Sequence, residues 1–156
     1  MQGHGHAVCL PADIDTDLVI AGRYLRTKDR SVWVAHVFED LDPAIAPKLN
    51  GAVIVAGKNF GCGSSREQAP VALREAGVLA VIAPSFARIF FRNAINLGLP
   101  LIESDLTCKD GTKVSFNIHE GWVSAGRNRH TVRPLSPRMQ EILDAGGLVE
   151  YWRTHQ

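Results

Sequence analysis

Two serines and an arginine follow a glycine-rich turn in the middle of the chain. The turn covers residues 57–63, and Ser64, Ser65 and Arg66 come directly after it. Serine hydroxyls hydrogen-bond to anions, the planar guanidinium matches a carboxylate or a phosphate, and glycines let a ligand approach the backbone closely. Residues of these types in this order indicate a site for a small acidic molecule.

The turn lies between a predicted strand and a predicted helix. Residues 52–56 are a short β-branched run, which is typical of a buried strand. Ser65 and Gln68 match a capping box, so we expect a helix that has Ser65 as its N-cap and ends at Gly77. Residues 78–83 predict a second buried strand, which completes a βαβ unit with parallel strands. Ligands of such sheets bind where strands lead into helices, and the unpaired N–H groups of a helix start favour an anion.

The remaining elements are predicted from shorter patterns. Residues 1–50 show little periodicity, and residues 22–30 are typical of an exposed basic loop. The later part of the chain predicts two helices, one from Ser85 to near Gly98 and one with Ser136 as its cap, Pro137 at its first position and glycines 146–147 at its end. It also predicts strands at 99–102, 113–118, 122–125 and 130–132. We therefore expect a single compact α/β domain over residues 1–156.

Length and composition exclude several classes of protein. The chain has 156 residues, a formal net charge of +1, 46% hydrophobic residues and 21% charged residues. These values are ordinary for a globular domain, which at this length folds without a disulfide or a metal. The near-zero charge argues against non-specific binding to nucleic acid or to an anionic membrane surface. No apolar run approaches the ~20 residues of a membrane span, and no secretory signal is expected at the start.

Three cysteines bear on compartment and chemistry. Cys9, Cys62 and Cys108 are widely spaced and odd in number, which argues against a disulfide framework and favours a reducing cytoplasm. They include no Cys-x-x-Cys pair, so a zinc site has no support. Cys62 has two interpretations, a nucleophile activated by the helix start or, more commonly, a small packing residue.

Two other kinds of site have no support in the sequence. The phosphate-binding loop pattern is absent because Lys58 precedes the glycines, and the dinucleotide fingerprint is absent because Arg66 stands where the third glycine is required. Asp13, Asp15 and Asp17 lack the further ligands of a calcium loop, so a turn capped by these side chains is the simpler interpretation.

Several segments resemble the swivel domain of the aconitase superfamily. Residues 57–70 match the family signature closely, and residues 85–98 form a second match. Residues 15–17 and 141–148 are further matches, so the resemblance covers nearly the whole chain, with a weaker stretch at 104–133. Within the superfamily the chain is similar to the separate small subunits of isopropylmalate-type dehydratases, and homoaconitase-type small subunits are close.

The resemblance implies a fold, a reaction and a partner. The fold is a swivelling β/β/α domain of the aconitase C-terminal type. Family members move a hydroxyl between adjacent carbons of a malate-like acid by dehydration and rehydration. A [4Fe–4S] cluster binds the substrate hydroxyl as a Lewis acid and is carried by the large subunit. This chain is therefore expected to bind no metal itself and to be active only with that partner.

The family pattern also implies roles for individual residues. Ser64 matches the catalytic serine, which takes the proton next to a carboxylate as an alkoxide and later returns it. Ser65 and Arg66 match contacts to a substrate carboxylate, and Asp17 matches an acid that orients its neighbours from behind the site. Arg66 and the predicted helix start are expected to stabilise the alkoxide by their positive field. Arg88 is expected to have a structural or interface role.

A segment near the start bears on substrate choice. In family terms, residues 24–27 face the variable end of the substrate, so Arg26 and Thr27 are predicted substrate-binding residues. Isopropylmalate-type subunits often have apolar residues after Tyr-Leu, whereas an arginine favours a third carboxylate, as in homoaconitate-type substrates. Alternatively, Arg26 points to solvent or binds a carboxylate common to all of these substrates.

The resemblance thus implies a small subunit of a cytoplasmic hydro-lyase of the kind that isomerises 2- and 3-isopropylmalate in leucine biosynthesis. The alternatives are a homoaconitase small subunit, a hydratase of methyl-substituted malates, and a catalytically idle anion-binding module of the same fold. The expected partners are a cluster-bearing large subunit and a small di- or tricarboxylic acid, without nucleic acid or membrane. Self-association of the isolated chain is also compatible with the sequence.

Overall fold

A seven-stranded mixed sheet lies at the centre of the structure, a computed structural model that describes residues 1–155. The strands, numbered along the chain, are β1 (Gln2–Leu10), β2 (Ala52–Ala56), β3 (Ala80–Ala83), β4 (Leu101–Glu103), β5 (Lys113–Asn117), β6 (Trp122–Ala125) and β7 (Asn128–Thr131). Their spatial order is β4-β3-β2-β1-β5-β6-β7.

Strand β1 joins the two halves of this sheet. On one side it pairs in parallel with β2, which continues in parallel to β3 and β4. On the other side it pairs antiparallel with β5, which continues to β6 and β7 as a meander. His6 stands where the two halves meet, opposite Ala52 of β2 and opposite Lys113 of β5.

The helices connect and flank the strands. In chain order they are α1 (Thr16–Val19), α2 (Arg30–Ala35), α3 (Gln68–Glu75), α4 (Arg88–Asn96), α5 (Pro137–Ala145) and α6 (Leu148–Thr154), with short 3₁₀ turns at Gly22–Tyr24 and Ala46–Lys48. Helix α3 links β2 to β3 and α4 links β3 to β4, which confirms the parallel βαβ prediction.

An apolar core holds α3 and α4 against the parallel strands. Every residue of β2 and β3 is buried, as expected for strands covered on both faces. The apolar face predicted for α3, namely Ala69, Ala72 and Leu73, is fully buried. Burying a leucine contributes about 1.5–3 kcal/mol, so this packing fixes the positions of the loops that lead into both helices.

Helix α3 starts later than the capping box predicts. Its first residue is Gln68, and Glu67 is the N-cap without a side-chain hydrogen bond, so the prediction of Ser65 as N-cap is wrong. The reason is Pro70. A helix capped by Ser65 would place this proline past the first turn, where its ring clashes with the preceding backbone and its missing N–H breaks a hydrogen bond. With the observed start Pro70 lies in the first turn, where no N–H partner is needed.

Helix α4 also starts later than predicted, at Arg88 instead of directly after Ser85. Residues 85–87 are held extended beside Phe60. The Phe60 N–H donates to the Ser85 carbonyl at 3.1 Å, and the Ala87 N–H donates to the Phe60 carbonyl at 3.0 Å. These bonds keep the backbone out of the helical region until Arg88.

The two ends of the chain differ in how well the sequence predicts them. The first 50 residues contain more regular structure than predicted, because β1 is the longest strand of the described chain and α1 and α2 follow it. The closing helix is confirmed, with the Ser136 hydroxyl accepting from the Met139 N–H at 3.2 Å and Gly146 ending it at a φ of 94°. Helix α6, which follows it, was not predicted. Within residues 1–155, no helix combines the length and the apolar character needed to cross a bilayer.

Candidate active site

The loops that follow β1, β2 and β3 enclose a cavity of about 550 Å³. Its lining comes from these three loops and the start of α4: Thr16, Gly61, Gly63, Ser64, Ser65, Arg66, Ala87, Arg88, Ile89, Phe90, Arg92 and Asn93. The predicted residues Ser64, Ser65 and Arg66 therefore share one cavity, at the edge of the sheet where parallel strands lead into helices.

Glycine is required where the site loop passes α4. Gly61 has a φ of +84°, and a Cβ placed on it would lie 2.2 Å from Cγ of Phe90. Its N–H donates to the Ile14 carbonyl at 2.7 Å, which ties the loop to the segment after β1. A side chain here would push the loop away from both neighbours, so the glycine sets the distance between the loop and α4.

Thr16 holds the backbone of Ser64 in place. Thr16 is 2% exposed, and its hydroxyl donates to the Ser64 carbonyl at 2.7 Å. Its own N–H donates to the Cys62 carbonyl at 2.9 Å. The side chain of Ser64 is exposed toward the cavity. The buried threonine thus fixes the peptide that carries the exposed hydroxyl.

Arg66 is held from two sides and keeps one unsatisfied donor. Its Nη2 lies 2.5 Å from Oδ1 of Asp17, and its side chain is 24% exposed against 61% for Asp17. A Cβ placed on Gly22 would lie 3.1 Å from Nη1, so the guanidinium packs directly against that glycine. Its Nε is buried and has no hydrogen-bond partner within residues 1–155. Asp17 therefore orients Arg66, whose donors are incompletely satisfied by the protein.

Backbone N–H groups add to the positive field of the cavity. Because α3 starts only at Gln68, the loop before it contains Ser64, Ser65 and Arg66, whose N–H groups donate no hydrogen bond to protein within residues 1–155. The first turn of α4 also lines the cavity, and its N-cap Ala87 offers no side-chain acceptor. The unpaired N–H groups of the loop and of the first turn of α4 favour an anion in the cavity.

Two arginines of α4 were not predicted as site residues. Arg88 and Arg92 both line the cavity, whereas the sequence predicts only a structural or interface role for Arg88. Their spacing of four residues places them on one face of a helix, which is the sequence signal for the pair. With Arg66 they give the lining three arginines and no carboxylate.

Arg26 and Thr27 lie outside the lining of this cavity. Arg26 is exposed and forms no ion pair within residues 1–155. The Thr27 hydroxyl accepts from the Asp29 N–H at 3.0 Å, and the Thr27 carbonyl accepts from the Trp33 indole at 3.2 Å. Arg26 is therefore free to meet a ligand, whereas the Thr27 hydroxyl already has a partner.

The segment that carries Arg26 is anchored by a cluster around Glu39. Tyr24 stacks on His36 with ring centroids 3.9 Å apart, and its hydroxyl donates to Glu39 at 2.5 Å. Hydrogen bonds from Tyr24, and then from His36, lower the pKa of Glu39 to about 2. Two contacts thus hold the residues just before Arg26: the cluster around Glu39 holds Tyr24, and Arg66 packs against Gly22.

Neither a nucleophilic cysteine nor a metal centre is found in the cavity. Burial, and then the negative charges of Asp15 and Asp13, raise the pKa of Cys62, which disfavours the nucleophile interpretation. No group of three or more histidine, cysteine or acidic side chains within residues 1–155 is arranged to hold a metal ion. The thiols of this chain therefore do not fit the [4Fe–4S] cluster that the resemblance implies.

Comparison with known proteins gives the family. Residues 11–105 match the family model of the aconitase C-terminal domain. The 3-isopropylmalate dehydratase small subunit of Aliarcobacter butzleri is 50% identical over 145 residues, which cover 90% of this chain and 87% of that protein. The methanogen homoaconitase small subunit of Methanothermobacter thermautotrophicus is 49% identical over 144 residues, covering 90% of this chain and 84% of that protein. The crystal structure of 3-isopropylmalate dehydratase from Methanocaldococcus jannaschii has a TM-score of 0.91 and 42% identity, and covers 99% of this chain and 95% of that chain.

The matched region contains every residue that lines the cavity, from Thr16 to Asn93. The sequence similarity to small subunits covers 90% of the chain, and the structural similarity to the Methanocaldococcus jannaschii dehydratase covers 99% of it. The chain belongs to the aconitase C-terminal domain family, alongside the small subunits of 3-isopropylmalate dehydratase and homoaconitase.

Proposed function

We propose that this chain is the small subunit of a two-subunit hydro-lyase that interconverts 2- and 3-isopropylmalate by dehydration and rehydration. One observation carries the proposal: a single cavity combines a serine pair with three arginines and has no carboxylate in its lining. Isopropylmalate has two carboxylates, which match arginine forks, and a C–H bond beside a carboxylate, at which a base must act.

Ser64 is proposed as the base that removes this proton and returns it during rehydration. A serine hydroxyl is a weak base, so its alkoxide needs a strong positive field. Arg66, the unpaired N–H groups of residues 64–66 and the first turn of α4 supply that field. The hydrogen bond from Thr16 holds the Ser64 backbone, so the hydroxyl needs little reorganisation to reach the substrate.

Ser65 and Arg66 are proposed to bind the carboxylate beside the reacting carbon. The position of Arg66 supports this role, since its side chain lines the cavity and is 24% exposed. Asp17 positions the guanidinium through the 2.5 Å contact with Nη2. Arg88 and Arg92 carry the charge that suits the second carboxylate.

The [4Fe–4S] cluster is proposed to belong to the large subunit. Ser64 and Ser65 are exposed, so the cavity is open on one side and requires a partner surface to exclude water. We therefore expect activity only in the complex of both subunits. The free state of all three cysteines suits a reducing cytoplasm as its compartment.

Homoaconitase is a second candidate, which the exposed side chain of Arg26 favours. This guanidinium has no ion-pair partner within residues 1–155. It lies four residues after Gly22, which contacts Arg66. A substrate with a third carboxylate would pair with it, whereas an isopropyl group would leave it unpaired.

The test is the activity of this chain co-expressed with its large subunit and prepared anaerobically. The dehydrated acids with an isopropyl tail and with a carboxylate tail are assayed side by side. We expect turnover with the isopropyl compound, and Ser64→Ala to lower kcat at least ~10³-fold while the subunits still co-purify. Ser115→Ala, on β5 and away from the cavity, is the matched control and is expected to be active.

The outcomes separate the candidates. Preference for the tricarboxylate that is lost in Arg26→Leu would establish the homoaconitase alternative. Near-normal kcat in Ser64→Ala would refute the base assignment. Absence of turnover with either acid, in a complex that contains its cluster, would favour the anion-binding module without catalysis.

A further inference from the structure

Two cysteines that are 99 residues apart in the chain meet at the carboxyl end of β1. Cys9 is the next-to-last residue of β1, and Cys108 lies in the segment between β4 and β5. Their Sγ atoms are 3.9 Å apart, and both cysteines are free. The Cys9 thiol donates to the Cys108 carbonyl at 3.3 Å. The sulfurs are therefore in contact without being bonded.

The backbone around the pair is fixed on both sides. The Cys9 N–H donates to Oδ1 of Asp110 at 2.9 Å, and the Gly111 N–H donates to the Ala7 carbonyl at 2.8 Å. A disulfide needs an S–S distance of about 2.05 Å, so the sulfurs must approach by roughly 2 Å. Rotation of the two side chains can supply much of that distance while the hydrogen-bonded backbone keeps its place.

A small oxidant has access to both sulfurs. The two cysteines line a separate cavity of about 260 Å³, together with Gly57, Asp105 and Leu106. Both side chains are half-buried. The lining contains none of the residues assigned to substrate binding or proton transfer, so this is a second site.

We propose that Cys9 and Cys108 form a reversible intramolecular disulfide when the protein meets hydrogen peroxide. The Cys108 thiolate attacks one peroxide oxygen, the O–O bond breaks, and sulfenic acid and hydroxide form. The Cys9 sulfur then attacks the Cys108 sulfur, an S–S bond forms, and hydroxide leaves. Both hydroxides end as water with the two thiol protons. Two thiols are thus oxidised by two electrons, and one peroxide is reduced to two waters.

The hydrogen bond from the Cys9 thiol to the Cys108 carbonyl, at 3.3 Å, favours Cys108 as the thiol that reacts first, because it holds Cys9 in its protonated form. Burial, and then the neighbouring Cys108, raise the pKa of the Cys9 thiol to about 12. Cys9 therefore stays protonated near neutral pH and is the weaker initial nucleophile. It is suited to the second step, in which it needs only to reach a sulfur 3.9 Å away.

The cross-link would tie the segment after β4 to the end of β1. Helix α1 begins six residues after Leu10, and its residues Thr16 and Asp17 contact Ser64 and Arg66. The disulfide is therefore expected to restrain the loop that positions Ser64 and Arg66, at a distance from the reacting atoms.

The experiment treats the full chain, alone and in complex with the large subunit, with hydrogen peroxide. Free thiols are then blocked, and the protein is digested without reductant for mass spectrometry. We expect an intact mass lower by about 2 Da when measured before the thiols are blocked, a linked peptide pair that contains Cys9 and Cys108, and reversal by dithiothreitol. Cys62→Ser is the matched control and is expected to give the same linked pair.

Cys9→Ser and Cys108→Ser are each expected to abolish the pair, and Cys9→Ser to accumulate higher oxides at Cys108. The proposal is overturned if peroxide leaves all three thiols free. It is also overturned if the linked peptides contain Cys62 or join two chains. Oxidation of Cys108 to sulfinic acid in the unmutated chain, without any linked peptide, would equally overturn it.

Discussion

Replacing Thr16 by valine tests whether a buried hydroxyl positions the proposed base. Valine keeps the shape of the side chain but removes the donor that lies 2.7 Å from the Ser64 carbonyl. Thr16 is 2% exposed, so water cannot easily replace this hydrogen bond. The carbonyl must stay unsatisfied or turn toward solvent and carry Ser64 with it.

The expected magnitude follows from the cost of leaving this part-buried acceptor without a partner, about 1–3 kcal/mol. Expressed as lost transition-state stabilisation, this is a fall in kcat/KM of about 5- to 150-fold. Expressed as lost stability, it is a fall in Tm of about 2–12 °C for a chain of this size. The lost free energy is divided between transition-state stabilisation and folding stability, according to how far the Ser64 loop relaxes.

The assay combines steady-state kinetics of the complex with thermal unfolding of the isolated chain. Thr16→Ser is the matched control, because it keeps the donor and removes only a methyl group. We expect the serine variant to keep most of the activity that the valine variant loses. Equal kcat/KM and equal Tm in the two variants would refute the positioning role.

Three further predictions concern the packing and charge around the site. Gly61→Ala is expected to lower the free energy of unfolding by about 2–5 kcal/mol, because the new Cβ would lie 2.2 Å from Cγ of Phe90 on a residue with a positive φ. Chemical denaturation measures this change, and a fall below ~1 kcal/mol would contradict the prediction. Gly22→Ala is expected to raise KM for the dicarboxylate several-fold, because the new Cβ would lie 3.1 Å from Nη1 of Arg66 and would displace the guanidinium, with little change in Tm. An unchanged KM would contradict this prediction. Glu39 has a pKa lowered from 4.5 to about 2, so it stabilises the folded chain above its ordinary pKa, and this contribution is lost as the pH falls through about 2. The Tm difference between the unmutated chain and Glu39→Gln should therefore be largest above about pH 5 and vanish near pH 2; a constant difference would refute the assignment.

The parallel half of the sheet and the closing helix follow from local patterns. Strands β2 and β3 are buried on both faces, so their continuous apolar runs are visible without any knowledge of their neighbours. The closing helix has its own cap at Ser136 and its own stop at Gly146. In each case the signal lies within a few residues of the element itself.

Strand β1 and the start of α3 depend on interactions that the local pattern does not contain. The first half of β1 is partly exposed and includes two glycines, and its strand conformation depends on β5, more than 100 residues away. At α3 the capping box of Ser65 is overruled by Pro70, five residues later. The capping residues favour a helix that begins after Ser65, but the proline ring excludes that start, and the helix begins at Gln68.

The residues of the candidate site also differ in how far the local sequence indicates them. Ser64, Ser65 and Arg66 are adjacent in the chain, and their residue types alone indicate an anion site. Thr16 reaches them only because the segment after β1 pairs with the loop at Cys62, as the Asp15–Cys62 bridge records. Such contacts depend on the tertiary arrangement of several elements, so composition and spacing do not reveal them.

The central position of β1 sets the order in which the sheet can assemble. One half of this strand finds its partner after about 50 further residues, but the other half waits for Lys113, which pairs with His6. Until that residue has been synthesised, a nascent chain has an open strand edge, to which other chains can add. Sheet pairing over such long sequence separations is slow, so we expect folding to be completed late in synthesis and to benefit from chaperones that cover the open edge.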